Sequence, residues 1–333
     1  EDIYNSIIPT TTQYARNSLF SGLSPLEIKK KFPDKWVDEE TNEGKNLHED
    51  FFLKENLKRN FIDCKSSYNK INQLKPNAII HCAAKVGGLY NNMQNPADFF
   101  DQNIIINSNI LKIAKNTNVK KFIGFLSTCI FPDNLGKAYH EDDLHLGPPH
   151  DSNFAYAYAK RMLDVQVRAY NNQYGLKYFN VIPTNIYGPN DNFNIESGHV
   201  IPGLIHKVYL AKKNNTPLIV YGSGIAIREF IFSKDVSNIC LKLLKKYQDD
   251  KPVIISNSSE EISIDQIVNL IVEISNFKGE VIYDQTKSDG QLIKKTNNEK
   301  LLSVIGDYSF TPIEDGLQQT IEWFFNNYEK AKK

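Results

Sequence analysis

Lys121-Phe122-Ile123-Gly124-Phe125-Leu126-Ser127-Thr128-Cys129 decides the fold. Its first six residues read as a buried strand, apolar after Lys121, and the stretch ends on hydroxyls and a thiol. Downstream, after Pro148-Pro149, Ser152 or Asn153 can cap a helix in which Leu163, Val167, Tyr170 and Tyr174 keep a helical period. Gly175 is placed to stop it. Tyr178-Phe179-Asn180-Val181-Ile182 then reads as the next strand, broken by Pro183. Upstream, Ala78-Ile79-Ile80-His81-Cys82 is another short apolar strand. Pro96 suits the first turn of a helix that carries Phe99, Phe100, Ile106, Ile110 and Leu111. Strand, helix, strand, helix, strand in this order predicts an α/β protein with a parallel sheet and helices on both faces.

Beyond Pro189 the pattern breaks into shorter pieces. Leu218–Tyr221 and Phe230–Phe232 read as strands. Ser263-Ile264-Asp265-Gln266 and Thr311-Pro312-Ile313-Glu314 both fit the capping box that opens a helix. Each precedes an apolar helical period: Ile267, Leu270, Ile271 and Ile274, then Leu317, Ile321, Phe324 and Tyr328. A smaller α/β lobe is expected here, over the carboxyl edge of the sheet where ligands bind in open parallel sheets.

The chain has 333 residues, enough for one large core or two unequal lobes. Lys plus Arg and Asp plus Glu both count 39, so the formal net charge is zero. That balance speaks against nucleic acid or an anionic membrane face as partner. No apolar run approaches the roughly 20 residues that cross a bilayer, and Glu1-Asp2-Ile3 lacks the order of a secretory signal. Cys64, Cys82, Cys129 and Cys240 show no metal-ligating spacing. The expectation is a cytoplasmic protein without a metal. Cys82 and Cys240 read as small core residues, and His81 as a structural partner for a backbone carbonyl. The last helix's aromatic stripe reads as core, and Lys29-Lys30-Lys31 as a solvated face.

Chemistry gathers at Tyr156-Ala157-Tyr158-Ala159-Lys160. A phenol and an ammonium four apart share one helical face, and a nearby cation favours phenolate. That makes a tyrosine an acid/base near neutrality. Because the helix follows a strand ending in Ser127, the tyrosine and serine can share one carbonyl oxygen.

Here the chain resembles a known family. His81-Cys82-Ala83-Ala84-Lys85-Val86-Gly87-Gly88, Leu126–Pro132, the Tyr-x-x-x-Lys helix, Pro183-Thr184-Asn185-Ile186-Tyr187-Gly188-Pro189, Asp191-Asn192-Phe193 and Gly198-His199-Val200-Ile201-Pro202 are similar to the GDP-L-fucose synthases, from about Phe61 onward. These are extended short-chain dehydrogenase/reductases that convert GDP-4-keto-6-deoxy-D-mannose to GDP-L-fucose with NADPH. The resemblance implies a Rossmann-like doubly wound sheet with a smaller C-terminal substrate lobe, in the spans 61–188 and 189–333, and a homodimer through the helices at Pro96–Asn116 and Asn153–Tyr174. It makes Tyr156 the proton donor to the C4 oxygen, helped by Ser127, with Lys160 on the nicotinamide ribose. Cys129 and His199 become the acid/base pair for epimerisation. Thiol and imidazole both titrate within reach of neutrality. Ala83, Phe125, Leu126, Thr128, Pro183, Thr184, Asn185, Ile186 and His199 would line the cofactor, with Asp63 at the adenine edge. Lys207, Arg228, Asp289 and Lys294 match positions around the GDP-sugar, and Tyr221 stands where the family usually has Trp.

The departure is residues 1–60. They offer only Gly22 and Gly44, where the family opens with a glycine-rich loop on the pyrophosphate. An incorrect gene model or splice, lacking the first βα unit, is the favoured explanation. A rebuilt site, or loss of NADPH binding, are the others. The rival activities are another nucleotide-sugar epimerase or dehydratase, which would not need Cys129 with His199, and a non-catalytic GDP-sugar-binding or assembly protein.

Overall fold

The computed structural model describes residues 30–33 and 76–333, apart from residues 134 and 259. Asp63, Gly22, Gly44 and the helix expected over Ser67–Leu74 lie outside the described residues; Lys30 and Lys31 are exposed. The chain divides into two compact units: Glu1–Ala83 with Lys112–Val119, and Ala84–Leu111 with Lys120–Lys333. The first contains β1 (Ala78–His81), which stops one residue short of the expected end. His81 and Ala83 are buried there, while Cys82 is half-buried rather than core.

α1 (Leu89–Gln94) lies in the second unit and leads to α2 (Pro96–Asn116), whose proline opens the helix as expected and whose residues from Lys112 on belong to the first unit. β2 (Lys121–Phe125), α3 (Phe154–Tyr174) and β3 (Phe179–Pro183) form the predicted parallel crossover. Ile123 pairs with Phe179, and Val181 with Val253 of β7 (Val253–Ile255), so β2, β3 and β7 run parallel. All five β3 residues are buried, which suits the strand's apolar character, and its one polar side chain, Asn180, donates to Asp164 Oδ1 at 3.3 Å. Tyr178 falls outside the strand because Asn171 takes its backbone: Asn171 Oδ1 accepts the Tyr178 N–H at 3.1 Å and Nδ2 donates to its carbonyl at 2.8 Å. Gly124 is a contact glycine. A Cβ there would collide with Asn180 Oδ1 and meet Leu163 Cδ2 at 3.1 Å, so its absence lets α3 lie close on the sheet. α3 ends at Gly175, at φ 65°. Its start departs from expectation: Asn153 makes no capping bond, and His150 instead caps the 3-10 turn Asp151–Asn153, accepting the Ser152 N–H at 3.2 Å.

The rest is built from β4 (Asn185–Tyr187), α4 (Val200–Asn214), β5 (Leu218–Tyr221), β6 (Ile227–Phe232), α5 (Ser233–Lys246), β8 (Glu261–Ser263), α6 (Ile264–Ile274), β9 (Val281–Asp284), α7 (Glu299–Ile305) and α8 (Ile313–Asn326). β6 pairs parallel with β4 and antiparallel with β8, and β5 pairs parallel with β9. Helices α4, α6 and α8 close one apolar core over these strands, with Phe193 stacked on Phe324 at 4.2 Å. The Ser263–Gln266 capping box forms in full at α6. The one expected at Thr311 does not: Pro312 is the N-cap, without a side-chain bond, and the Thr311 N–H is spent on Asp235 Oδ2 at 2.8 Å.

Candidate active site

The Leu126 N–H donates to Val181 O at 2.8 Å, so the β2–β3 ladder runs one residue past the strand before the chain turns. Ser127, extended at φ −160°, caps the 3-10 turn Thr128–Ile130, and its Oγ accepts the Cys129 N–H at 3.5 Å. Two buried cations of α3 hold this turn. Lys160 Nζ donates to Phe125 O at 2.8 Å; Arg161 donates from Nε to Ile130 O and from Nη1 to Gly147 O, the latter at 2.6 Å. Tyr156 sits one turn earlier, its ring centroid 5.8 Å from Lys160 Nζ and edge-on to Phe99 at 6.2 Å. Phe125, Ser127, Cys129 and Tyr156 are half-buried, and Leu126 and Thr128 are buried.

Electrostatics here correct the sequence reading. Burial pushes the Tyr156 phenol well above its ordinary value, and the Cys129 charge adds to the shift. The spacing predicted a phenol made acidic by Lys160. The ammonium is committed to the Phe125 carbonyl, and desolvation wins. Burial likewise raises the Cys129 thiol above its ordinary value; Lys294, the Ser127 hydroxyl and Lys160 pull it back without cancelling the effect. A thiol titrating near neutrality is therefore not what this structure contains. Lys294 is half-buried. Burial holds it below its ordinary value, with the Cys129 thiolate drawing it up and Arg228 pressing it down.

Lys294 belongs to a segment pinned at several points. Asp289 accepts the Ser223 N–H at 2.7 Å and the Ser223 hydroxyl at 2.8 Å. This contact needs Gly222 at φ 86°, where a Cβ would strike Asp289. Arg228 donates to Leu292 O at 3.3 Å and to Asp289 O at 3.4 Å. Gln291 Nε2 donates to the Tyr139 hydroxyl at 2.7 Å. Thr296 donates its N–H at 2.8 Å and its hydroxyl at 2.5 Å to buried Glu229. Burial lifts the Glu229 carboxyl to about 7. Asp289, Arg228 and Lys294 thus form a track leading to Cys129. At its outer end Lys207 Nζ lies 3.2 Å from the centroid of the exposed Tyr221 ring and donates to Ile219 O at 3.1 Å. Burial pulls Lys207 down to about 8, against the attraction of Asp284. Tyr221 and Asp284 are register partners across β5 and β9.

His199 stands on another element. It is the N-cap residue of α4, its carbonyl accepts the Gly203 N–H at 3.0 Å, and its exposed side chain lines a cavity of about 200 Å³ with Gly88, Asn185, Ile186 and Pro202. Asp191 faces it. Burial raises that carboxyl, while the Asn192 N–H, His199 and Lys332 oppose the rise. Among the described residues no hydrogen bond joins His199 to Cys129. Pro183 ends β3, and Asn185 Nδ2 donates to Glu229 O at 2.9 Å. Thr184 is buried, its N–H donates to Ile255 O at 3.1 Å, and its Oγ1 has no partner among the described residues. Ala83 falls in the first unit and is buried.

Arg161, Tyr139, Gln291 and Glu229 were not singled out in the sequence. For Arg161 the signal was available: on α3 the buried stripe of Leu163 and Val167 also carries Lys160, Asp164 and Asn171, polar residues on an apolar period, and Arg161 joins them.

The model of the NAD dependent epimerase/dehydratase family matches residues 38–257. GDP-L-fucose synthase of Dictyostelium discoideum is 49% identical over 269 residues, covering 80% of this chain and 84% of that protein. The chain belongs to this family, on its GDP-L-fucose synthase branch. A probable GDP-L-fucose synthase of Drosophila melanogaster is 41% identical over 267 residues, covering 78% of this chain and 83% of that protein. Among solved structures, a GDP-L-fucose synthetase from Naegleria fowleri bound to NADP superposes with a TM-score of 0.75 at 40% identity, over 83% of this chain and 89% of that one. The Rossmann-like extended reductase fold is the one these relatives share. The family match begins at residue 38, upstream of the Phe61 from which the likeness was read. The partnerless buried Thr184 hydroxyl beside the Asn185–Ile186 cavity suits a polar dinucleotide, so the residues present fit NADPH. Among the described residues no group of three His, Cys, Asp or Glu side chains could hold a metal ion.

Proposed function

We propose that this chain is an NADPH-dependent 3,5-epimerase and 4-reductase that converts GDP-4-keto-6-deoxy-D-mannose to GDP-L-fucose. The observation that carries the reading is the cluster of Ser127, Cys129, Tyr156 and Lys160 at the carboxyl end of β2, with Lys294 beside the thiol. The Cys129 charge is felt at the Tyr156 phenol, which supports both groups serving one small substrate. Lys160, Thr184, Asn185 and His199 would hold NADPH, which would supply the hydride for C4.

The residues divide the remaining work. The C4 ketone acidifies the protons at C3 and C5, because an enolate can form. Cys129 and His199 remove and return these protons on opposite faces of the ring. Ser127 Oγ hydrogen-bonds the C4 oxygen, which polarises the ketone and stabilises the enolate. Tyr156 donates its proton to that oxygen as C4 is reduced; a phenol raised by burial starts fully protonated, the form a proton donor requires. Arg228 and Lys294 take the diphosphate, Arg228 through its planar fork. Tyr221 stacks on the base or sugar with Lys207 nearby, and Asp289 holds Arg228 and Ser223 in register.

The spans 61–188 and 189–333 serve as cofactor domain and substrate lobe. The molecule works as a homodimer through α2 and α3, whose Ile105, Phe154 and Val165 are exposed apolar residues. A cytoplasmic setting suits cysteines such as Cys82, Cys129 and Cys240 that form no disulfide among the described residues.

Incubation with GDP-4-keto-6-deoxy-D-mannose and NADPH in deuterium oxide tests the reading. The expected product is GDP-L-fucose with solvent deuterium at C3 and C5 and hydrogen from NADPH at C4. Product without deuterium at either carbon contradicts it. Tyr156→Phe should abolish reduction and keep part of the deuterium exchange.

A further inference from the structure

The imidazole of His199 makes no hydrogen bond among the described residues. Its place at the cavity is therefore set by the backbone that leads into α4. That backbone starts from a firm anchor. Phe193 is buried and stacked on Phe324 at 4.2 Å; its N–H donates to Lys332 O at 2.8 Å, and its carbonyl meets His206 Nδ1 at 2.8 Å. The next residue folds the chain onto itself. Asn194 Oδ1 accepts the Glu196 N–H at 3.0 Å, the Ser197 N–H at 2.8 Å and the Ser197 hydroxyl at 3.0 Å. Its own carbonyl accepts the Gly198 N–H at 2.8 Å. Short amide side chains favour such local bonds over regular structure, which suits a loop that must hold one shape.

The far side of the loop is docked on the site. Ser197 O accepts the Gly88 N–H at 3.1 Å, and Asn92 Nδ2 donates to Gly87 O at 2.8 Å and to Gly88 O at 3.0 Å. Asn192 Nδ2 reaches Ser197 Oγ at 3.2 Å. The closure leaves no slack: a Cβ on Gly198 would strike the carbonyls of Asn192 and Asn194. Gly88, Gly198 and His199 then line one cavity with Asn185. From the Phe193 anchor to the first turn of α4, the oxygen of Asn194 is where most of these bonds converge. A shift of about 1 Å in a reacting group can cost a large factor in rate, so the shape of this loop bears on any chemistry His199 does.

We propose that Asn194 is a positioning residue for His199: its side-chain oxygen fixes the loop that sets the imidazole against the cavity, and epimerisation depends on it more than reduction does. The catalytic consequence rests on the epimerase reading, but the placement of the ring can be read without turnover, so the two can fail separately.

Proton NMR of the histidine Hε1 resonances, with the His199 signal assigned through His199→Gln, reads that placement. Product analysis with the keto sugar and NADPH reads the consequence. Asn194→Ala should shift the His199 resonance and slow epimerisation roughly ten-fold relative to NADPH oxidation, so that unepimerised sugar reduced at C4 accumulates. Asn194→Asp keeps the accepting oxygen and gives up only Nδ2, which makes no hydrogen bond among the described residues; it should restore both readouts. Glu196→Ala removes an exposed side chain and keeps its N–H, and should match the wild type. Ser197→Ala removes one of the three donors, and should move both readouts the same way by less; it keeps the test sharp where Asn194→Ala fails to fold. An unmoved His199 resonance in Asn194→Ala overturns the proposal. So does a wild-type ratio of epimerised to unepimerised product, or an Asn194→Asp variant as impaired as Asn194→Ala. A wild-type enzyme that yields no epimerised sugar would remove the epimerase reading instead, while the resonance still judges the role of Asn194 in placing the ring.

Discussion

At the scale of single residues, burial and the Cys129 charge together raise the Tyr156 phenol, and at Cys129 burial outweighs the pull of Lys294 and Lys160. Sequence spacing could show that a cation was near the phenol; it could not show that the cation's hydrogen bond went to a backbone carbonyl. Lys207 offers a test with a definite sign. Its ammonium is pulled down to about 8 by burial, so the charged form is complete well below that pH and is lost as pH rises through it. GDP-sugar affinity should hold steady near neutrality and then fall by about ten-fold in all as pH rises past about 8. Lys207→Arg should flatten that fall, and Lys207→Ala should weaken binding at neutral pH by about ten-fold. Calorimetric titration over this range decides it; a wild-type affinity that stays level through the alkaline arm removes Lys207 from the ligand's charge balance.

At the scale of elements, the segment that carries Asp289, Gln291 and Lys294 is clamped by Glu229 through both Thr296 donors. Folding raises that carboxyl from its ordinary value of 4.5 to about 7. Between those values the folded chain holds a proton that the unfolded chain has released, so stability is full below the lower value and declines as pH rises through the higher one. The decline amounts to roughly 3 kcal/mol. Glu229→Gln should remove this slope, melting like the wild type in mild acid and above it in mild alkali; parallel melting curves at all pH would contradict the assignment. Gly124→Ala should cost about 2 kcal/mol by urea titration, because a Cβ there meets Asn180 and Leu163. The elements themselves were legible where one physical signal dominated. β2 and β3 are buried throughout their middles and read as apolar runs; α3 had its period and its glycine stop. The misses have local causes. Asn171 captured the backbone of Tyr178, His150 took the cap expected of Ser152 or Asn153, and Asp235 took the Thr311 N–H. Such long-range side-chain bonds leave no periodic trace. Short strands such as β4, β7, β8 and β9 were missed for the same reason, three or four residues being too few to show a period.

At the scale of the whole molecule, the site joins parts of the chain far apart in sequence: the turn after β2, the inner face of α3, and the segment after β9. Motif order in the sequence grouped Ser127, Cys129, Tyr156 and Lys160, whereas the effect of the Lys294 charge on the thiol was visible only once the chain was folded. Assembly makes its own prediction. Gln166 Nε2 donates to Ser108 Oγ at 2.7 Å, tying α3 to α2 and setting Ile105, Phe154 and Val165 on a two-helix surface. Val165→Asp should shift sedimentation toward the monomer if that surface pairs two copies, and an unchanged sedimentation coefficient would place the contact elsewhere.

The central claim is that a phenol and a thiol act on one hexose, each in a separable half-reaction. Cys129→Ser, given the keto sugar and NADPH in deuterium oxide and followed by proton NMR, tests it most directly. The account predicts a sugar reduced at C4 that has not been epimerised and carries little or no deuterium at C3 and C5. Deuterium entering both carbons at the wild-type rate would contradict it.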